Sequence, residues 1–154
     1  MRIARARNSP ELRATGRLFR EYAASLELDL SYQGFEGEVA GLPGKYAPPL
    51  GEILLAMDAS GEAVGCVALR PLSDGICEMK RLYVAPPGRG RGLGRRLVAA
   101  ILDEARARGY REMRLDTLVT LEAAIGLYRE VGFVEIEPYF ESSIEGNLFM
   151  GLRL

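Results

Sequence analysis

The residue pattern with the clearest chemical consequence is Arg89-x-x-Gly92-x-Gly94, within Pro86-Pro87-Gly88-Arg89-Gly90-Arg91-Gly92-Leu93-Gly94-Arg95-Arg96-Leu97. It follows an apolar, strand-like run at Leu82-Tyr83-Val84 and opens a segment with helical spacing. A turn of this kind leaves main-chain N–H groups unpaired at the positive end of a helix, where an anion can sit. Glycines let the backbone approach that anion, and arginines add charge that a carboxylate or phosphate can pair with. The ligand this predicts carries a pyrophosphate; the plainer alternative is a solvated turn. Two familiar phosphate motifs fail on spacing. The dinucleotide fingerprint needs a third glycine three places after the second, but that place is Leu93 counting from Gly88 and Arg95 counting from Gly90. No glycine is followed at the right distance by Gly-Lys-Ser/Thr, so a P-loop is absent.

The rest of the chain must position that loop. Its 154 residues suit one domain, 1–154, burying roughly 70% of the unfolded chain's surface. The composition, 48% hydrophobic and 27% charged, is that of a globular protein. A net charge of −1 argues against nucleic acid as a bulk electrostatic partner. Lys45 and Lys80 are the only lysines, and arginines crowd between Arg89 and Arg114. Histidine is absent, which removes histidine-based triads and, with only Cys66 and Cys77 present, the usual zinc sites; no metal is expected. No apolar stretch is long enough to span a membrane, and the first residues lack the apolar run of a signal peptide. If the turn at Ser73-Asp74-Gly75 pairs residue 71 with 77, Cys66 lies opposite Leu82 and far from Cys77. No disulfide is then expected, and a reducing cytoplasm fits.

Periodicity orders the elements. Residues 2–6 read as a strand, and Ser9-Pro10-Glu11 supplies a helix start, with serine as N-cap, for a helix over about 10–27. Phe35–Leu42 suits a short helix, and residues 42–49 a loop. Ile53–Met57 and Ala63–Leu69 form a hairpin around Ser60-Gly61, and Ile76–Val84 is the next strand. A helix over 92–108 buries Leu93, Leu97, Val98, Ile101, Leu102 and Ala105 and ends at Gly109. Met113–Thr117 is a strand, Leu121–Val131 a helix stopped by Gly132, and Phe133–Ile136 and Leu148–Leu154 the last strands. The fold class is α/β, an α+β mixture with a mostly antiparallel sheet of about seven strands flanked by helices.

Strand, glycine/arginine loop and helix in this order resemble the GNAT superfamily of acyl-CoA-dependent N-acyltransferases, whose motif is Gln/Arg-x-x-Gly-x-Gly/Ala. Leu127-Tyr128-Arg129-Glu130-Val131-Gly132-Phe133 is similar to the family's Leu-Tyr-x-x-x-Gly-Phe signature. The likeness covers nearly the whole chain. Met79-Lys80-Arg81-Leu82-Tyr83-Val84 with Leu115-Asp116-Thr117-Leu118 further resembles a bacterial subgroup of small, largely uncharacterised members. That subgroup commonly ends its penultimate loop with Asn-Pro, where this chain has Tyr139-Phe140-Glu141-Ser142-Ser143.

The resemblance implies roles. Main-chain N–H groups of Arg89, Gly90, Arg91, Gly92, Leu93, Gly94 and Arg95 hold the pyrophosphate of acetyl-CoA, the implied co-substrate. Leu82, Tyr83 and Val84 bond the pantetheine arm like an added strand, in a cleft opened where this strand splays from Met113–Thr117. Tyr128 matches the tyrosine that protonates the departing thiolate in many members; the plain alternative is a core aromatic. Many members carry asparagine seven residues earlier, where Leu121 stands here.

Glu78 is the candidate base. An alkylammonium has a pKa near 10.4, so only about one molecule in a thousand is neutral at pH 7, and a carboxylate can remove its proton directly or through water. Simple alternation puts Glu78 on one face with Ile76, Lys80, Leu82 and Val84, opposite Cys77, Met79, Arg81 and Tyr83. The alternative for Glu78 is a structural ion pair with Lys80 or an arginine.

The implied reaction is acetyl transfer to a primary amine of a small molecule in a direct ternary complex. A homodimer is left open, and neither nucleic acid nor membrane is an expected partner. Tyr32, Phe35, Tyr139 and Phe140 offer aromatic surface for the acceptor. Glu27, Asp29, Glu36, Glu38, Glu135, Glu137, Glu141 and Glu145 would suit a cationic one, or form an ordinary solvated face. Three alternatives stand beside this reading: a peptide or protein amine as acceptor, a non-catalytic acyl-CoA-binding module, and RNA binding through Arg89–Arg96.

Overall fold

A computed structural model describes residues 1–26 and 34–154. Tyr32, Glu27, Asp29 and the predicted end of the first helix at residue 27 lie outside the described residues. The elements are β1 (Arg2–Arg5), α1 (Ser9–Ser25), α2 (Phe35–Ala40), β2 (Glu52–Met57), β3 (Ala63–Ser73), β4 (Ile76–Val84), α3 (Leu93–Ala107), β5 (Glu112–Leu118), α4 (Glu122–Val131), β6 (Val134–Glu135) and β7 (Asn147–Arg153). Short 3-10 turns at Gly44–Tyr46 and Pro86–Gly88 interrupt the loops. One seven-stranded sheet runs β1-β2-β3-β4-β5-β7-β6, antiparallel except for the central β4–β5 pair.

Side chains that alternate along β2 split the core in two. Ile53, Leu55 and Met57 join Leu18 and Phe19 of α1 and Phe35 and Val39 of α2 on one face. Leu54 and Ala56 join Leu93, Leu97, Val98 and Ile101 of α3, with Tyr128 of α4, on the other. The six side chains predicted to be buried on α3 are all buried. The start of α1 differs by one residue from the prediction. Asn8, not Ser9, is the N-cap: its side chain accepts from the Glu11 N–H at 2.9 Å, and Glu11 accepts from the Asn8 N–H at 3.2 Å. Asparagine caps as well as serine and also has a glutamate three residues on to complete the box. The last hairpin is slighter than predicted, since β6 keeps only two residues.

The largest departure lies in β4. Pro71 pairs with Cys77 and Ala68 with Lys80, but Cys66 pairs with Tyr83, so β4 carries one extra residue opposite Val67. This is a β-bulge, and Arg81 within it takes φ 62°, a left-handed conformation that costs a non-glycine residue about 1–2 kcal/mol. The buried Arg81 guanidinium meets the Glu38 carboxylate of α2 at 3.1 and 3.3 Å and lies 5.2 Å over the Phe35 ring. The bulge resets the alternation. Cys77 and Met79 face α3 and α4, yet so do Leu82 and Val84, while Tyr83 packs with α1. Glu78 is therefore not on the face of Leu82 and Val84, as simple alternation predicts. Cys66 meets Tyr83 rather than Leu82, and both cysteines are free and buried.

Candidate active site

Parallel pairing of β4 with β5 covers only Ile76–Glu112, Cys77–Met113 and Glu78–Arg114. Both strands run on, to Val84 and to Leu118, without pairing. A cleft opens between them, lined by Met79, Lys80, Arg81 and Leu82 on one side and by Leu115, Asp116, Thr117 and Leu118 on the other. Tyr22 of α1 and Leu26, which caps its end, close it on one face, and Leu121, Ala124 and Tyr128 on the other. Main-chain groups on this edge of β4 have no ladder partner, which is what an extended ligand arm needs. Lys80 Nζ reaches Asp116 Oδ1 across the opening at 3.5 Å. Asn147 donates to Asp116 Oδ2 at 3.1 Å, and its own Oδ1 is buried without a partner among the described residues.

The glycine/arginine loop follows β4 directly, past Val84. Gly90 and Gly92 have φ 80° and 69°, and a Cβ on either would meet nothing within 4 Å, so left-handed conformation rather than crowding selects glycine there. Gly92 caps α3 without a side-chain hydrogen bond. No main-chain N–H from Gly90 to Arg95 donates to another main-chain group among the described residues; the first to do so is Arg96, to Gly92 O at 3.1 Å. Arg89 is different. Its N–H donates to Pro86 O at 3.2 Å, and its Nε donates to Val84 O at 3.0 Å. Arg95 pairs with Glu130 of α4. The loop thus offers an unpaired N–H cradle over Gly90–Arg95 at the positive end of a helix.

Tyr128 sits on the cleft wall, buried, with its ring edge-on to Phe133 at 5.7 Å. Burial, reinforced by Tyr22 and Asp116, raises its phenol well above the ordinary value, so the hydroxyl keeps its proton at neutral pH. Tyr22, edge-on to Tyr83 at 6.1 Å, is pushed up to about 12 by burial.

Glu78 marks the point where the strands part, and it is only 1% exposed. Arg70 Nε donates to its Oε1 at 2.7 Å, and the Tyr139 hydroxyl donates to its Oε2 at 2.6 Å. The ion pair read as an alternative role thus exists, with Arg70; Lys80 pairs with Asp116 instead. Burial beside this carboxylate raises the Tyr139 phenol far above its usual range. Tyr139 packs edge-on with Phe140 at 5.3 Å and Phe149 at 5.2 Å. Of the acidic residues proposed for a cationic acceptor, the six among the described residues are placed otherwise. Glu38 is held by Arg81 and Lys45, Glu36 pairs with Arg20, and Glu135, Glu137, Glu141 and Glu145 are exposed and outside the cleft lining.

Sequence reading missed Arg70, Arg114, Asp116 and Asn147. Arg70 was within reach, because the turn pairing residue 71 with 77 also sets Arg70 opposite Glu78. The other three depend on registers between β4, β5 and β7 that no local signal sets.

Comparison with known proteins gives the same class. The family model described as Acetyltransferase (GNAT) family matches residues 18–133. An uncharacterised N-acetyltransferase of Schizosaccharomyces pombe is 44% identical over 138 residues, 89% of this chain and 85% of that protein. An uncharacterised N-acetyltransferase of Escherichia coli is 31% identical, over 80% of this chain and 77% of its own. A candidate acyl-CoA N-acyltransferase of Klebsiella pneumoniae, of known structure, superimposes with a TM-score of 0.78 at 31% identity, covering 99% of this chain and 97% of that one. The chain belongs to the GNAT acetyltransferase family and is an acyltransferase. A family structure from Elizabethkingia anophelis with acetyl-CoA bound shares the fold, with a TM-score of 0.58 at 24% identity over 68% of this chain and 76% of that one. Among the described residues no helix is long and apolar enough to cross a membrane, and no cluster of His, Cys, Asp and Glu could hold a metal ion.

Proposed function

We propose that the protein moves an acetyl group from acetyl-CoA to a primary amine of a small molecule, with both held at once in the β4–β5 cleft. The observation that carries this reading is the end of β4–β5 pairing at Glu78–Arg114, with an unpaired N–H cradle beyond one end of the opening and a buried carboxylate at the other. Three features fit acetyl-CoA: the Gly90–Arg95 amides suit a pyrophosphate, the open edge of β4 suits an amide-bearing arm, and the orphaned Asn147 Oδ1 is an acceptor awaiting a donor. When bound, acetyl-CoA supplies a thioester carbon already activated toward a nitrogen nucleophile. Arg91 adds charge beside the cradle, and Leu82, Tyr83 and Val84 line the arm.

Glu78 receives the ammonium proton. Each of its oxygens accepts one hydrogen bond, from Arg70 and from Tyr139, and keeps a further lone pair to which a bridging water can relay the proton. Tyr128 holds a phenolic proton at the cleft wall and can give it to a thiolate leaving there. The test is thiol release from acetyl-CoA against amino acids, polyamines, aminoglycosides and peptides. Turnover of a small amine supports the reading. Stoichiometric acetyl-CoA binding with no thiol release across the panel would instead mark a binding module, and turnover of peptides alone would move the acceptor to a protein amine.

A further inference from the structure

We infer that the amine acceptor also carries a carboxylate, held by the free ends of the Arg70 and Arg114 guanidiniums beside Glu78, and that it is an amino acid with an apolar side chain. This rests on the acetyltransfer proposed above and adds the acceptor's class.

Arg70, Glu78 and Arg114 are successive register partners on β3, β4 and β5. Cross-strand partners point to one face, and the strand spacing sets the two arginine Cα atoms about 10 Å apart with the carboxylate between them. Contacts confirm the common face. Arg70 touches Glu78, Glu78 touches Tyr139, and the Arg114 guanidinium lies 5.6 Å over the Tyr139 ring. Each arginine is anchored at Nε, Arg70 by Glu78 and Arg114 by Glu112. The Nη groups of both donate no hydrogen bond among the described residues. Their side chains are 27% and 28% exposed, so these donors are reachable yet largely withdrawn from water. A guanidinium held at Nε keeps its outer fork for a second carboxylate, which it can bind through two parallel hydrogen bonds.

Charge and shape select among amines. Two arginines face two glutamates here, so the cluster is neutral and suits a neutral zwitterion. A polyamine would bring several positive charges to two guanidiniums with no carboxylate to spare. Phe149 pairs with Asp116 on the same face of the sheet, and with Tyr139 and Phe140 it forms an aromatic wall whose exposed edge, Phe140, is 38% accessible. An apolar side chain can rest there while the carboxylate meets the arginines and the amine turns toward Glu78.

The experiment compares kcat/KM for phenylalanine, phenylalaninamide, phenethylamine, O-phosphoethanolamine and spermidine, with acetyl-CoA as donor. Phenylalanine is expected to lead the amide and phenethylamine by about 100-fold, because losing the carboxylate leaves partly buried donors unpaired. The amide's amine is less basic, so chemistry alone would favour it and the comparison is conservative. Arg114→Gln should shrink the phenylalanine-to-amide ratio at least about tenfold. A purely structural role would lower both rates and leave that ratio standing. A parallel measurement does not need turnover: N-acetylphenylalanine should bind the CoA-loaded protein at least about tenfold more tightly than N-acetylphenethylamine by calorimetry. Equal rates for phenylalanine and its amide, or a lead for phosphoethanolamine or spermidine, overturns the carboxylate while leaving acetyl transfer in place. Carboxylate-selective binding with no turnover of any amine supports the carboxylate site and counts against the transferase reading. Binding without selectivity overturns the inference whatever the turnover.

Discussion

The two ends of the cleft are built from different materials. At the loop end the groups proposed to bind are main-chain amides, presented by left-handed Gly90 and Gly92 at the start of α3. At the apex they are side chains: Glu78 with Arg70, Tyr139 and Arg114, drawn from β3, β4, β5 and the loop before β7. Main-chain donors recognise what family members share, and they tolerate change in neighbouring side chains because no side chain carries the contact. A side-chain cluster can be rebuilt residue by residue. On the proposed reading, the difference teaches that a main-chain donor end suits a co-substrate common to a family, whereas a side-chain apex suits one particular acceptor.

Substitutions at the two ends should separate accordingly. Glu78→Gln keeps the shape of the apex and removes the proposed base; it should lower kcat about 1,000-fold with acetyl-CoA affinity nearly unchanged, measured by steady-state kinetics and calorimetry. A loss under tenfold would leave Glu78 a structural anion and break the comparison. A control outside both ends comes from Glu52, fully buried in β2 and bonded by Arg7 at 2.6 Å and Arg108 at 2.7 Å. Glu52→Gln should cost about 3 kcal/mol in denaturant unfolding, because Arg7 loses its counter-charge and the buried Arg108 keeps only Glu104.

Glu52 also gives a pH dependence. Burial works against its charge, but Arg7, the Ile53 amide and Arg108 outweigh it and lower the pKa. A carboxylate depressed on folding adds stability above its unfolded value, about 4.3, and loses it as pH falls further. The melting temperature of the wild type should therefore drop below about pH 4.3, and that of Glu52→Gln should drop less. An equal drop in both would assign acid lability elsewhere, for instance to Glu38 or Glu104, whose pKa values are lowered too.

Tyr128→Phe should lower kcat about 100-fold and leave KM for the amine alone; unchanged turnover across the pH range would remove Tyr128 from proton transfer. The smallest effect is expected from Gly92→Ala, which places a Cβ on a left-handed residue. It should weaken acetyl-CoA binding about tenfold and cost about 1 kcal/mol of stability, with little change in amine selectivity. If amine selectivity moved as well, the two ends would be coupled and the contrast between them would need revision.

Much of this molecule is legible in one dimension because its physics is local. Turn glycines, the helical spacing of Leu93–Ala105 and the alternation along β2 are each set by residues within a few positions of one another. The loop's proposed anion site belongs to this class, since a glycine before a helix start exposes amides wherever the helix packs. The bulge at Arg81 does not. Its left-handed backbone is tied to Glu38, 43 residues earlier, so alternation predicts the wrong face for everything after it.

The sequence by itself determined the family, the order of elements and the glycine/arginine loop proposed as the donor cradle. Only the tertiary structure decided the apex: that Arg70 and Tyr139 occupy Glu78, that Lys80 pairs with Asp116, and that Arg114 stands beside them. The physical reason is the parallel register of β4 and β5. It joins residues 36 apart through a crossover helix, and it sets both where the strands part and which charges meet there.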